Sequence, residues 1–387
     1  MSKESPSHSL LSILPFWSSL LLLPVMFYAA VTGGWSFLWV IILCWGLFSV
    51  LDVVLGINPV NHNPNTEEKD LIGYTLVTLI WPPLHFITLF GLLWYVGQSS
   101  HTFAEKVGLF YAVGVLGGVI GINYSHELMH RSDRLRRHLA DGLLAMVLYS
   151  HFRSEHLLVH HKYVGTPRDG ATARYGESYY AFFTRALAGG LPSAFHAECQ
   201  KLKKSKRAWY HIKNPFYKYL ILQTMCLALA YMIGGAVGVA LFVWQAFIAI
   251  NILEITNYIE HYALTRKYLG NGRYEPVKPH HSWNTGLTAT NWFFINLQRH
   301  SDHHVKPNKP YPLLQTYDDT DAPQFKYGYI IMGLSALIPP LWRHMIDPKV
   351  LVWRERFYPE IEDWSDYDND VIPLPVREGK PIQMTSA

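Results

Sequence analysis

Long apolar stretches alternate with polar segments along this chain, in the pattern of helices that cross a membrane. A spanning helix needs roughly 20 mostly apolar residues to cover about 30 Å of hydrocarbon. Six stretches meet this requirement: Leu10–Val31, Gly34–Ile57, Leu71–Gly97, Phe103–Asn123, Tyr219–Gly234 and Gly235–Tyr258. The sequence therefore predicts an all-α integral membrane protein with six transmembrane helices.

The polar segments divide the chain into four parts. Spans one to four and their short loops occupy residues 1–125, and spans five and six occupy residues 219–258. Residues 126–218 carry a surplus of Lys and Arg, which places this segment in the cytoplasm. Because the number of spans is even, both termini and residues 259–387, with their acidic tail, are expected there too. The two segments are expected to pack as one cytoplasmic, histidine-rich catalytic cap.

Composition agrees with a membrane protein and excludes some functions. Half of the 387 residues are hydrophobic and 16% are charged, against about 25% in an ordinary soluble domain. The net charge of +4 is too small to indicate a nucleic-acid partner. Three cysteines exclude a disulfide framework and a metal site built from four thiolates. The chain has 20 histidines, however, and they are clustered.

Four histidine motifs stand out. They are HELMH (His126, His130), EHLLVHH (His156, His160, His161), NYIEHY (His261) and QRHSDHH (His300, His303, His304). Residues four apart share a helix face, so His126 with His130, and His156 with His160, can each direct two imidazoles at one point. His161 is turned by about 100° and can serve a second metal or the other side of the first. His300 repeats the arrangement with His303 or His304.

The number of these histidines indicates two metal ions. Nine imidazoles are too many for one ion but suit two ions with some positions left open. Metal-bound imidazoles commonly donate their second N–H to a carboxylate. Four acidic residues lie within two positions of a candidate ligand and could accept this hydrogen bond: Glu127, Glu155, Glu260 and Asp302. The pair His280 and His281, in KPHHSWN, either supports the metal ligands or has a structural role.

Other interpretations of the histidines have to be weighed. A single HxxxH pair usually consists of ordinary polar residues, but four motifs at the ends of membrane spans favour metal binding.

A zinc hydrolase needs one ion with three protein ligands, which nine histidines match poorly. A metal transporter, the alternative from another class, would carry ionisable residues near the membrane midplane. The spans carry few charges apart from Asp52, interpreted as a marker of the membrane interface, and Glu254. The pattern favours a redox metal pair that oxidises a substrate arriving through the lipid.

The motifs resemble those of a known family. HELMH, EHLLVHH and QRHSDHH match the histidine boxes of the membrane-bound non-haem diiron alkane 1-monooxygenases (alkane ω-hydroxylases), which belong to the fatty acid desaturase/hydroxylase-like superfamily. NYIEHY matches a further motif, NYxEHYG, that separates alkane hydroxylases from desaturases. The resemblance extends over roughly Gly34 to Asp347, and it departs from the family at Ala263, where Gly is more frequent.

The resemblance implies a function and its partners. It implies two Fe ions held by the nine histidines, and O2-dependent terminal hydroxylation of medium-chain n-alkanes to 1-alkanols. The implied electron donor is a separate rubredoxin with an NADH-dependent rubredoxin reductase, and the implied location is a bacterial-type inner (plasma) membrane. A membrane fatty-acyl desaturase or hydroxylase and a xylene-type monooxygenase remain as alternatives.

An alkane substrate limits how the protein can recognise it. An alkane has no hydrogen-bonding group, so only apolar burial holds it, at about 0.8 kcal/mol per CH2 group. Selectivity for the terminal carbon then requires a narrow channel that ends at the metals, and spans one to four are expected to line it. Trp45, Leu47, Phe48 and Leu51 of span two are hypothesised to form part of its wall, the alternative being ordinary packing or lipid contact.

Overall fold

The computed structural model describes residues 10–371, and regular structure there is almost entirely helical. Five helical elements in this part are long and apolar enough to cross a membrane: α1 Leu10–Thr32, α2 Leu38–Leu55, α3 Glu68–Gln98, α4 Phe103–Met129 and α8 Phe216–His261. The others are shorter or more polar: α5 Arg134–Met146, α6 (the consecutive pieces Phe152–Glu155, His156–His160 and His161–Tyr163), α7 Tyr179–Lys204, α9 Thr288–Phe293, α10 His300–Val305, α11 Tyr329–Ala336, α12 Pro339–Phe357 and α13 Ser365–Asp368. Strands β1 Tyr268–Gly270 and β2 Arg273–Tyr274 form a small antiparallel hairpin.

Helix α8 is a hairpin of two helices. Its 46 residues would extend about 69 Å if straight, more than twice the hydrocarbon thickness. Gly235 interrupts it with φ 59° and ψ −147°, at the boundary that the sequence predicts between spans five and six. Both ends of α8 reach α6, since the hydroxyls of Tyr219 and Ser154 lie 2.8 Å apart and the rings of His261 and His160 lie 4.7 Å apart. The fifth and sixth predicted spans therefore form one helical element that folds back at Gly235.

Helix α4 is the centre of the bundle and packs closely against the second half of α8. Its apolar stretch is 83% buried, compared with 22% for α1. A Cβ atom at Gly114 would lie 2.6 Å from the Gln245 carbonyl oxygen, and one at Gly118 would lie 2.7 Å from Ile252 Cβ. Small residues allow two membrane helices to approach closely, as these glycines do.

The two polar segments pack against each other through backbone hydrogen bonds. The Ala263 N–H donates to the Ala173 carbonyl at 2.8 Å, and the Arg266 N–H donates to the Gly165 carbonyl at 2.8 Å. Ala263 adopts φ 61°, in the left-handed region that favours glycine, and it is fully buried. This conformation gives a physical reason for the glycine that is more frequent in the family at this position.

We expect Ala263→Gly to stabilise the protein. Relief of the left-handed strain is worth about 1–2 kcal/mol, and the greater freedom of glycine in the unfolded chain offsets about 0.5–1 kcal/mol of this. The matched control is Ala145→Gly, a buried position within α5, which should lower stability. Unfolding midpoints of the purified variants in detergent measure both effects, and a lower midpoint for Ala263→Gly would contradict the strain argument.

Candidate metal centre

The histidine motifs lie at the ends of the apolar spans and on two short helices beside them. His126 is in the last turn of α4, His130 directly follows that helix, and His261 is the last residue of α8. The remaining six histidines lie on α6 and α10. The membrane helices therefore deliver three imidazoles to one end of the bundle, and the cap supplies the others.

The nine histidines form two adjacent groups of converging nitrogen atoms. The first group consists of His126, His130, His156, His161 and His303, and the second of His160, His261, His300 and His304. In the first group, Nε2 of His161 lies 2.9 Å from that of His156 and 3.2 Å from those of His130 and His303. The second group has Nε2 separations of 2.9 Å (His300–His304), 3.0 Å (His261–His300) and 3.2 Å (His160–His304).

These separations fit nitrogen atoms that share a metal ion. Metal–nitrogen bonds are about 2.0–2.1 Å long. If the nitrogen–metal–nitrogen angles lie between those of square and tetrahedral coordination, neighbouring ligand nitrogens are about 2.9–3.4 Å apart. Nε2 of His126 is buried and has no hydrogen-bond partner among the described residues, which leaves its lone pair available. Each group can therefore hold one ion.

Burial also keeps the imidazoles in the form that binds metal. Removal from water lowers the pKa of His130, His156, His161, His303 and His304 well below the usual range, and the neighbouring imidazoles lower it further. A neutral imidazole has one ring nitrogen with a free lone pair, and metal binding requires it.

Comparison with known proteins agrees with this site. A family profile described as fatty acid desaturase matches residues 105–335, which contain all four motifs. Alkane 1-monooxygenase 2 of Pseudomonas aeruginosa is 36% identical over 326 residues, or 82% of this chain and 85% of the relative. The chain belongs to the alkane 1-monooxygenase family. This confirms the resemblance inferred from the histidine motifs.

Other relatives show how widely the similarity extends. The alkane 1-monooxygenase of Acinetobacter baylyi is 36% identical over 308 residues, covering 79% of this chain and 74% of the relative. A xylene/toluene monooxygenase hydroxylase component of Pseudomonas putida is 28% identical over 345 residues, covering 87% of this chain and 89% of the relative.

In this alkane 1-monooxygenase family member, the second histidine motif divides differently from the sequence-based expectation. His156 and His160 were expected to point at one place, but the structure puts them in different groups. The reason is that residues 156–160 form a π-helix, whose hydrogen bonds join residues five apart. The wider turn brings His161, rather than His160, beside His156. Helix α6 thus supplies ligand candidates to both groups.

Of the four predicted carboxylates, Glu260 is the one that approaches a ring. Its Oε1 lies 3.3 Å from Nδ1 of His300. Glu127 instead pairs with Arg131 at 2.5 Å.

The other two predicted carboxylates serve other contacts. Asp302 accepts hydrogen bonds from Lys309, Gln315 and Tyr317, at 2.5, 2.9 and 2.9 Å. Glu155 lines a small separate cavity with Glu254. Burial raises the pKa of Glu155 well above its usual range.

Asp169 is a supporting residue that the sequence did not identify. Its Oδ2 lies 3.0 Å from Nδ1 of His160 and accepts a hydrogen bond from Thr172 Oγ1 at 2.7 Å. A proton on Nδ1 of His160 leaves the Nε2 lone pair facing the second group. Asp169 lies nine residues after His160 in a loop, so closeness along the chain could not reveal it.

His280 and His281 belong to a third group, whose side-chain atoms are separate from the two groups formed by the nine histidines. With Glu275 they surround the hydroxyl of Tyr358, which lies 3.0 Å from His280 Nε2 and 2.7 Å from His281 Nε2 and donates to Glu275. Burial raises the pKa of Glu275, but hydrogen bonds from His281, Lys278 and Tyr358 outweigh it and hold the pKa below its usual range. Because these atoms already pair with one another, the group is a hydrogen-bonded network that joins the cap to α12.

An apolar cavity of about 320 Å³ connects the two histidine groups to the membrane region. Its wall includes His126 and His156 of the first group and His300 of the second. The remaining wall comes mainly from α4, the second half of α8 and α11. Of the four spans that the sequence suggested, α4 and Trp45 of α2 therefore line the cavity, whereas α1 and α3 contribute none of its described lining residues. Gly118 of α4, one of the two glycines at which α8 approaches closely, is part of this wall.

The four channel candidates of α2 differ in their positions. Trp45 lines the cavity, whereas Leu47, Phe48 and Leu51 are not part of its wall in the described chain. Phe48 instead stacks on Phe293 with ring centroids 4.0 Å apart, and Leu47 is 41% exposed on the surface of the bundle. A π-helical turn over residues 42–47 alters the helix face on which these side chains lie.

We expect Asp169→Ala to weaken metal binding by about 10–100-fold, because His160 loses the partner that fixes its tautomer. Metal content measured after dialysis against graded chelator concentrations reports the change. The matched control is Asp363→Ala, at an exposed position outside both groups. Equal metal retention by the two variants would show that Asp169 does not support the site.

We expect Tyr358→Phe to destabilise the protein without changing its metal content. The substitution leaves Glu275, His280 and His281 without their shared partner, and each unsatisfied buried group costs about 1–3 kcal/mol. Unfolding midpoints and metal analysis of the same preparation separate the two effects. Loss of one metal ion per chain would show that the third group binds an ion.

Proposed function

We propose that the chain converts medium-chain n-alkanes to 1-alkanols with O2, at a histidine-ligated diiron centre. The observation that carries the proposal is the apolar cavity that ends at both histidine groups. Such a cavity brings a substrate without polar groups to two neighbouring metal sites. Membership of the alkane 1-monooxygenase family gives independent support.

The proposed ligands are the nine histidines, five for one iron and four for the other. Two iron ions would supply the redox chemistry, in which O2, two electrons and two protons convert a terminal C–H bond to C–OH and release water. Asp169 would hold His160 through the 3.0 Å contact with its Nδ1, and the Glu260 carboxylate would lie 3.3 Å behind Nδ1 of His300.

The cavity wall would bind and orient the substrate. An eight-carbon chain gains on the order of 6 kcal/mol on leaving water, but little on leaving lipid for an apolar protein wall. Affinity therefore favours no particular carbon, and shape has to present the chain end to the metals. Trp45 and the side chains of α4, α8 and α11 provide that shape.

We also propose the membrane arrangement and the electron donor. The two halves of α8 would each cross the bilayer, giving six spans in an inner (plasma) membrane, with both termini and the cap in the cytoplasm. The hairpin at Gly235 and the Lys- and Arg-rich residues 126–218 support this orientation. A separate rubredoxin with its NADH-dependent reductase would supply the electrons, since three cysteines cannot form a rubredoxin iron site within this chain.

A xylene-type hydroxylation is the second candidate, because the xylene/toluene monooxygenase component matches over most of both chains. An aromatic methyl group and an alkane end group require different cavity shapes. Direct competition between octane and p-xylene, with both products quantified, distinguishes the two functions.

The decisive assay supplies the purified protein with rubredoxin, its reductase, NADH, octane and 18O2. We expect 1-octanol that carries one labelled oxygen atom, with one NADH consumed per product. His161→Ala and His304→Ala remove one member from each group and should abolish product, whereas His196→Ala, exposed and outside both groups, should retain it. NADH consumption without octanol, or product from the His161 and His304 variants, would contradict the proposal.

A further inference from the structure

Helix α7 carries an apolar stripe on its exposed side. Tyr180, Leu187, Leu191 and Phe195 are 56, 39, 51 and 37% exposed. Their spacing of seven, four and four residues places them along one face of the helix. A helix at a water-facing surface would carry polar residues on that side, so this face is suited to an apolar environment.

Helix α11 and the residues that follow it extend this apolar surface. The exposed side chains there are Ile331, Leu334, Leu337, Ile338 and Leu341. The Tyr180 hydroxyl donates to the Leu337 carbonyl oxygen at 2.8 Å, which joins α7 to α11. A continuous exposed apolar surface of this kind marks a contact with a protein or a membrane.

Two observations identify lipid as the occupant. First, the surface continues into a predicted span: a Cβ atom at Gly333 of α11 would lie 3.8 Å from Ile255 of α8, so the two helices are in direct contact. Second, the end of α7 has the composition of a membrane interface. The basic run Lys201–Arg207 is followed by Trp209 and Tyr210, which are 60 and 64% exposed. Basic and aromatic side chains at the edge of an apolar surface are typical of contact with lipid headgroups.

The cavity reaches the protein surface at the same place. Phe247 of α8, Leu334 of α11 and Leu337, which directly follows α11, all line the cavity, yet they are 45, 39 and 38% exposed. Side chains that belong both to the wall and to the surface mark its mouth. Tyr179 of α7 also lines the cavity beside them, and its hydroxyl donates to the Asn251 carbonyl at 3.0 Å.

We propose that α7 and α11 are embedded in the membrane leaflet next to the histidine cap, and that the opening bordered by Phe247, Leu334 and Leu337 is a lateral portal through which the lipid-dissolved substrate enters. The sequence analysis assigned both helices to the cytoplasmic cap, whereas their exposed faces match lipid. The portal part of this inference rests on the proposed alkane substrate. The lipid contact of α7 and α11 does not.

Lipid contact is tested by fluorescence quenching. Single cysteines at Leu191 and Ile338, introduced after replacement of Cys44, Cys199 and Cys226, carry a small fluorophore in vesicles that contain brominated lipid. We expect quenching as strong as at Ile87→Cys, an exposed position of span α3, and much stronger than at Asp319→Cys, an exposed position of the cap. Quenching no stronger than at Asp319→Cys would overturn the embedding of these helices.

The portal is tested by narrowing the cavity at its mouth, at Leu337, and just behind it, at the buried wall residue Gly333. We expect Gly333→Phe to lower kcat/KM for octane by about tenfold with unchanged metal content, because access is restricted while the metal site is intact. Leu337→Trp should act in the same direction. Gly91→Phe, the same change at an exposed position of α3 with no neighbouring atom within 4 Å, should stay within about twofold of the wild type.

These experiments test the substrate portal and the lipid contact of α7 and α11 separately. Wild-type kcat/KM in both Gly333→Phe and Leu337→Trp would place the entry route elsewhere. If the unmodified protein forms no octanol, the proposed function fails, and the quenching experiment still decides whether α7 and α11 contact lipid.

Discussion

The rest of the structure depends on the packing of nine imidazoles in two groups, eight of which have an Nε2 atom about 3 Å from that of another ring. A buried nitrogen without a partner costs about 1–3 kcal/mol, and a neutral ring carries only one proton. Protons cannot satisfy every contact where three nitrogen atoms converge, as they do for His130, His156 and His161. A shared cation satisfies them all, which explains how a dry site can contain so many polar rings.

Long-range polar contacts hold the third histidine motif against the membrane helices. Asp52, interpreted from the sequence as a marker of the membrane interface, is buried and accepts hydrogen bonds from the N–H groups of Ala289 and Thr290 at 2.8 and 3.0 Å. The Thr290 hydroxyl donates to the same carboxylate at 2.6 Å. It also accepts a hydrogen bond at 2.8 Å from the side chain of Gln298, which lies two residues before His300. The Asp52 carboxylate of α2 therefore helps to hold the ligand candidate His300, which lies 248 residues later in the chain.

The parts of the fold that follow from local pattern could be predicted from the sequence, and the parts that depend on tertiary contact could not. Hydropathy located the apolar stretches, and histidine spacing indicated eight of the nine rings, whereas His261 stands alone in NYIEHY at the end of a predicted span. The π-helix over residues 156–160 leaves no signal in the local sequence, so the division between His160 and His161 could not be predicted. Asp169 reaches His160 only because its loop folds back. Helix α11 is too short to be recognised as a span, although its exposed side chains and the cavity mouth place it beside α8.

The most direct test of the account is metal analysis combined with X-ray absorption spectroscopy of the active protein. The account predicts two iron ions per chain, each surrounded mainly by imidazole nitrogens at about 2.0–2.2 Å, with four or five rings per ion on average. A single ion per chain, or an iron environment with few imidazole ligands, would contradict it.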